Sequence, residues 1–345
     1  MEVSPYPVRP AKQMFYSVAG RSLCVDTPGD WSSRLFEQFF AGWYLSAHTA
    51  ESTCRADATI KVYEDGDIPP VPHGLESFEV AAGGRCDTDG STYYLQADDS
   101  LVVVHPERNN LVEVWIGHSA DARSQAPLAR LVFNASMAAL RRCHLYELHG
   151  GGVAEPVNKK GVLFIGPSGS GKSTLTTQLA AGGWWYLSDD SLLLSDSGNA
   201  VEARGLRRAF AVTETTMSAT GLGELSRITT APVPFDPFKR RFEPHAVFPA
   251  GYLEACQPGA LFFPSITTEP TSRVRSLSTH EAMARLLRMC PWACYDKPSA
   301  REHLRVLGDL SKQCVAYELF SGRDLLGNPE FTSNFILSHL TDRAL

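Results

Sequence analysis

GPSGSGKSTLTTQL, residues 166–179, decides how the second half of the chain is read. Gly166, Gly171, Lys172 and Ser173 meet the pattern G-x-x-x-x-G-K-[S/T]; the apolar run GVLFI precedes it and the helix-like STLTTQLAA follows. A strand, a glycine loop and a helix are therefore expected in that order. Glycines allow successive backbone N–H groups to turn inward around phosphate oxygens, and the helix N-terminus adds the positive end of its dipole. In this arrangement the Lys172 ammonium reaches the terminal phosphates and the Ser173 hydroxyl is placed for Mg²⁺. The residues expected around the phosphates are Gly166, Ser168, Gly169, Ser170, Gly171, Lys172, Ser173 and Thr174. The loop does not name the acceptor, since ATPases, GTPases, transport motors and small-molecule kinases share it.

Working outward, the chain has 345 residues, 43% of them hydrophobic and 20% charged, which suits a soluble globular protein of two domains. A formal net charge of −6 gives no global basic field, which argues against a nucleic-acid partner. Prolines at 5, 7 and 10 interrupt the N-terminus, no apolar run is long enough for a signal peptide or a membrane span, and a cytoplasmic location is expected. The eight cysteines are then read as free thiols. Cys290 and Cys294, spaced C-x₃-C, are either buried thiols or half of a zinc site.

Residues 1–145 read as a strand-rich α+β domain, with the runs MFYSVAG, ATIKVYE, STYYLQA, LVVVHPE and LVEVWIG separated by turn signals. Helical periodicity appears at 31–45 and 126–145. Residues 146–345 read as an α/β domain built around the glycine loop. Within it the proline-punctuated segment 231–249 is expected to be a long loop.

Four further segments narrow the chemistry. LSDDSLLL places Asp189 and Asp190 at the end of a strand, where one carboxylate can face a metal and the other an acceptor hydroxyl, as phosphoryl transfer to an alcohol requires. His149, in ELHGGGV, stands just upstream of the loop. Glu202 and Arg204, two residues apart, share one face of a strand; they serve either metal and phosphate or a surface ion pair. Lys239, Arg240 and Arg241 either grip an anionic group or form a solvated charge run.

Taken in order, LHG (148–150), GPSGSGKS (166–173), SDD (188–190) and VEARGL (201–206) resemble the catalytic domain of bacterial HPr kinase/phosphorylase and the wider HPr-kinase-like group, over roughly residues 146–320. The resemblance implies a P-loop kinase fold, with ATP and Mg²⁺ as cofactors and a serine-bearing peptide or small protein as acceptor. It implies Lys172 and the loop on the ATP phosphates, and Ser173, Asp190 and Glu202 on Mg²⁺. Asp189 is expected as the proton acceptor, His149 as the residue that sets its state, and Arg204 as a contact to the transferring phosphate. Oligomeric assembly is a further implication. Thr174, Ala203 and Arg207 depart from the family pattern, which suits a divergent member such as the tailoring kinases of lasso-peptide precursors. A small-molecule alcohol kinase and a nucleotide-dependent switch are the competing readings.

Overall fold

The computed structural model describes residues 12–40, 48–49, 55–64, 67–80, 84–108, 110–117, 125–206, 209–219, 231–233, 236–248 and 250–340. The chain divides into two compact units, one of Met1–Gly42 with Ser46–Cys143 and one of Trp43–Leu45 with His144–Leu345. Both mix helices with large sheets.

The first unit contains β1 (Lys12–Val18), β2 (Arg21–Thr27), α1 (Asp30–Glu37), β3 (His48–Thr49), β4 (Ala58–Glu64), β5 (Glu76–Val80), β6 (Gly84–Thr88), β7 (Tyr93–Ala97), β8 (Ser100–His105), β9 (Leu111–Ile116) and α2 (Gln125–Arg142). Its nine strands form one sheet in the order β3-β1-β2-β4-β9-β8-β7-β6-β5. Period-two alternation explains the packing: Ile60, Val62, Val112 and Val114 are buried on one face, whereas Lys61, Tyr63, Glu113 and Trp115 occupy the other. There the Tyr63 and Trp115 rings stack at 3.9 Å, and the Tyr63 hydroxyl donates to Glu113. The helical periodicity at 31–45 resolves as the shorter α1, and residues 41–45 lie outside those described.

The second unit contains β10 (Tyr146–Ala154), β11 (Gly161–Ile165), α3 (Lys172–Ala181), β12 (Trp185–Ser188), β13 (Ser191–Asp196), β14 (Val201–Gly205), β15 (Phe210–Thr213), α4 (Glu214–Ala219), β16 (Ala231–Val233) and β17 (Asp236–Phe242). It continues with β18 (Ala255–Cys256), β19 (Pro258–Ile266), β20 (Arg273–Leu277), α5 (Thr279–Met289), α6 (Trp292–Tyr295), α7 (Lys297–Gln313), β21 (Val315–Ser321) and α8 (Pro329–Ser338). The main sheet runs β18-β14-β13-β10-β11-β19-β21-β20, with β12 also paired to β10. At its centre β11, β19 and β21 are parallel, and β11 is buried at every position, as a strand covered on both faces must be. A separate three-stranded sheet, β15-β17-β16, occupies much of the segment expected to be a loop. Pro232 lies in the edge strand β16, where the missing N–H does little harm, and the inner strand β17 is held by its pairing with β15 and β16.

The long strand β10 is the hinge of the design. Its first half pairs with β13 and its second half with β11 and β12, so the glycines of HGGG lie where the chain passes from one set of neighbours to the other. Close backbone packing continues at Gly205, where a Cβ would collide with the Leu187 carbonyl, its carbonyl carbon only 2.8 Å away. Because the obstacle is backbone, Gly205→Ala is expected to lower unfolding stability by about 3 kcal/mol, read from the midpoint of urea denaturation. Among the described residues no helix is long and apolar enough to cross a membrane.

Candidate functional site

The loop between β11 and α3 takes the conformation its glycines permit. Gly169 and Gly171 have φ of +80° and +102°, in the region that favours glycine, and Gly171 is the N-cap residue of α3 with no side-chain cap on the helix. The first amides of a helix have no partner within it, so an uncapped N-terminus presents donors to an anion. A second observation points the same way. Ser170, 8% exposed, has a buried hydroxyl with no hydrogen-bond partner. Gly166 leaves room for it, since a Cβ there would come within 2.9 Å of the Ser170 Oγ. Ser168 and Gly169 are exposed at the loop's crest, and Ile266, 64% exposed at the end of β19, flanks Gly171.

Lys172 is buried, and its Nζ donates to the Pro167 carbonyl at 2.9 Å. Burial pushes this ammonium below the ordinary lysine pKa; Asp190 and Asp189 draw it back up, and Lys239 adds to the depression. The Ser173 hydroxyl donates to the Asp189 carbonyl at 3.3 Å, which places the first turn of α3 against the paired aspartates. Thr174 shares a hydroxyl contact of 3.2 Å with Thr216 of α4.

The aspartates occupy the bend between β12 and β13, where the Ser188 Oγ accepts from the Ser191 amide at 3.3 Å and helps turn the chain. Their environments differ. Asp189 is fully buried, and its Oδ2 accepts the Ala211 amide at 3.0 Å, tying the start of β15 to the site. Asp190 is half-buried with its Oδ1 3.5 Å from His149 Nδ1, and its backbone carbonyl accepts the Gly150 amide. The expectation that Asp189 takes the acceptor's proton therefore meets a carboxylate enclosed by protein. Asp190 is the more exposed of the two carboxylates, and His149 adjoins it.

Glu202 requires a correction. The strand register sets it opposite Ser195, five residues along β13 from Asp190, or about 16 Å of extended chain. An independent set of bonds agrees: neighbouring Val201 is held at both N–H and carbonyl by the Gln313 side chain, which also donates to Pro258, the partner of Gly161 at the start of β11. The loop leaves the other end of β11. Glu202 thus stands at the far end of the strand from Ser173 and Asp190, and it does not complete a metal site with them. Arg204 donates to Glu202 at 2.9 Å and Glu254 at 3.0 Å, the surface ion-pair alternative. Its register opposite Leu193 also sets it back from the aspartates.

The basic segment divides by strand parity. Lys239 and Arg241 pair with Thr213 and Ala211 and are half-buried; Arg240 and Phe238 alternate with them and are exposed. Sequence reasoning treated the three cations alike and gave no sign of the Ala211 amide, whose role comes from backbone position. Cys290 is buried and donates to the Glu147 carbonyl, Cys294 is exposed, and among the described residues no group of three or more His, Cys, Asp or Glu could hold a metal. Arg207 lies outside the described residues.

No family model matches the chain, and no curated protein matches it. Among solved structures it is similar to the Hpr(Ser) kinase/phosphatase from Coxiella burnetii, at 12% identity and a TM-score of 0.28, over 56% of this chain and 89% of that one. A likeness that slight leaves the site to be argued from its own residues.

Proposed function

We propose that the second unit is an ATP- and Mg²⁺-dependent phosphotransferase that passes the γ-phosphoryl group to a serine-type hydroxyl on a peptide or small protein. One observation carries the reading: an uncapped helix N-terminus, an unpartnered buried Ser170 hydroxyl and a buried Lys172 ammonium adjoin an accessible carboxylate that touches a histidine. The first three groups suit a phosphate chain, and the last two suit removal of a proton from an alcohol. MgATP would supply the phosphoryl group and a divalent charge that offsets the negative oxygens.

The chain's own residues supply the rest. The loop amides, Ser170 and Lys172 would hold phosphate oxygens, and the Ser173 hydroxyl with an aspartate carboxylate would hold the metal. Asp190 takes the hydroxyl proton as the alcohol oxygen attacks. His149 holds that carboxylate in place through its Nδ1. Asp189, locked to Ala211, keeps β15 closed over the site and water out. A binding switch would need at most one carboxylate for its metal, so the second, accessible one favours transfer.

Incubation with labelled ATP, Mg²⁺ and a panel of serine-bearing peptides and metabolites, followed by mass spectrometry, tests this reading. A product 80 Da heavier, as a phosphoryl group adds, and seated on a serine is the expected result; ATP bound with no acceptor modified would point to the switch. Glu202→Gln is expected to leave transfer and its Mg²⁺ dependence within about twofold of the parent, because the residue stands apart from the loop and its loss removes only an ion pair of modest worth. A Mg²⁺ requirement raised tenfold would restore Glu202 to the metal site.

A further inference from the structure

Two features bracket the N-terminus of α3 from opposite sides of β11. On the β10 side stand the aspartates: Ser173 reaches the Asp189 carbonyl, and Gly150, whose amide donates to the Asp190 carbonyl, pairs with Ile165 at the last position of β11. On the other side lies β19, parallel to β11 and ending at the same edge of the sheet in Ile266. β19 is buried from Pro258 to Pro264, yet Ile266 is 64% exposed, and a Cβ on Gly171 would meet its Cγ1 at 3.4 Å. An exposed isoleucine alone is ordinary. Its surroundings distinguish this one. Ser321, opposite Ile266 in the register of β21, is 8% exposed, and its buried hydroxyl has no hydrogen-bond partner among the described residues, the condition also of Ser170 within the loop. Phe262 and Tyr317, four residues earlier on the same two strands, pack with Leu175 and Leu179 of α3, so Ile266 and Ser321 share the face on which α3 stands. The backbone behind them is tied down. Thr267 donates from its amide and its hydroxyl to the Ser321 carbonyl, the Arg323 amide donates to Glu269, and the Ser272 amide donates to Asp324.

Resting on the phosphotransferase reading, we infer that Ile266 is the platform on which the base of the bound nucleoside triphosphate packs, with the Ser321 hydroxyl beside it as a polar contact for the nucleoside. Direction selects the occupant. The terminal phosphate must lie at the aspartates for an alcohol to attack it there, so the phosphate chain crosses the helix N-terminus away from β10 and delivers the nucleoside to the β19 side. An acceptor approaches from the aspartate side and leaves Ile266 to the donor. Topology agrees, because ligands of open α/β sheets lie outside the carboxyl ends of the parallel strands, and β11, β19 and β21 all end here. Ile266 carries no group that can read a base edge, so its contribution is apolar area and the rigid shelf beneath it.

Titration calorimetry with MgATP and with magnesium tripolyphosphate, which keeps the phosphates and lacks the nucleoside, separates the platform from the loop. Ile266→Ser is expected to weaken MgATP binding by about fivefold to tenfold, the loss of one apolar contact, and tripolyphosphate binding by less than about twofold. Ser321→Ala is expected to weaken MgATP by about threefold to fivefold, the worth of one hydrogen bond, with tripolyphosphate again within about twofold. In Ile266→Trp the introduced indole should stack on the base, so MgATP quenches fluorescence beyond the response of the parent protein and tripolyphosphate does not. Ile266 is exposed, so its variants are expected to melt at the parent's temperature. Should Ile266→Ser weaken both ligands equally, or neither, the platform is overturned and the phosphotransferase reading stands; an indole that responds alike to the two ligands has the same meaning. Unaltered MgATP binding by Ser321→Ala removes that hydroxyl from the site. A parent protein that binds neither ligand overturns the platform and the phosphotransferase reading together.

Discussion

Lys172→Ala is expected to weaken nucleotide binding by at least about 100-fold, roughly 2.7 kcal/mol, and to take phosphoryl transfer below detection. The reason is visible before any ligand arrives. The ammonium is buried, meets the Pro167 carbonyl, and has its charged form disfavoured by burial. A polyphosphate placed against it adds to the partial counter-charge of Asp190 and Asp189. The same physics separates this role from a structural one. Replacing the desolvated ammonium with the apolar, similarly shaped side chain of Lys172→Met should leave the ligand-free protein as stable as the parent or more so. The sign with pH also follows: the folded protein lowers the lysine pKa from 10.5, so as pH rises toward that value the unfolded chain holds the proton longer. Parental stability therefore climbs relative to Lys172→Met across that window. Isothermal titration with ATP and thermal melts of the ligand-free proteins supply both readouts. Unchanged affinity, or a ligand-free variant that unfolds, would make Lys172 a strut of the loop.

The conformation of the loop was legible because it is a local backbone shape. Gly169 and Gly171 must reach positive φ, Ser173 must follow the lysine, and the flanking strand and helix announce themselves by apolar runs, so adjacent residues hold the whole pattern. The paired aspartates were legible for a related reason, since they close a short strand. What the sequence withheld concerns register. Nothing in VEARGL tells which end of β14 adjoins the loop; the pairing of Val201 with Asp196 and the bonds of Gln313, 112 residues away, decide it. The two aspartates likewise look alike as letters, and only the fold buries Asp189 on the Ala211 amide while leaving Asp190 beside His149. Prolines concealed the third sheet. Strands that themselves carry Pro232 and Pro237 satisfy every rule for a loop until β15, upstream, provides the ladder that holds β17.

The distinction between the aspartates yields the sharpest test. Asp190→Asn is expected to lower the transfer rate by about 10³-fold, within the range a positioned general base supplies, while ATP affinity stays within about threefold. An amide keeps the shape and the 3.5 Å approach to His149 but cannot take a proton. His149→Ala should cost less, about tenfold, and should move the acidic limb of the pH–rate profile, because it acts on the reaction through Asp190 and leaves proton acceptance to the carboxylate. Asp189→Asn should show a different signature: its oxygen can still accept the Ala211 amide, but the buried site loses a charge that favours the Lys172 ammonium, so nucleotide affinity and thermal stability change together. If the order is inverted, with Asp189→Asn removing only the chemistry and Asp190→Asn removing metal or nucleotide binding, the two carboxylates exchange roles. That result would require β15 to withdraw on nucleotide binding, freeing Asp189 from the Ala211 amide, and hydrogen exchange at Ala211 with and without MgATP would detect the movement.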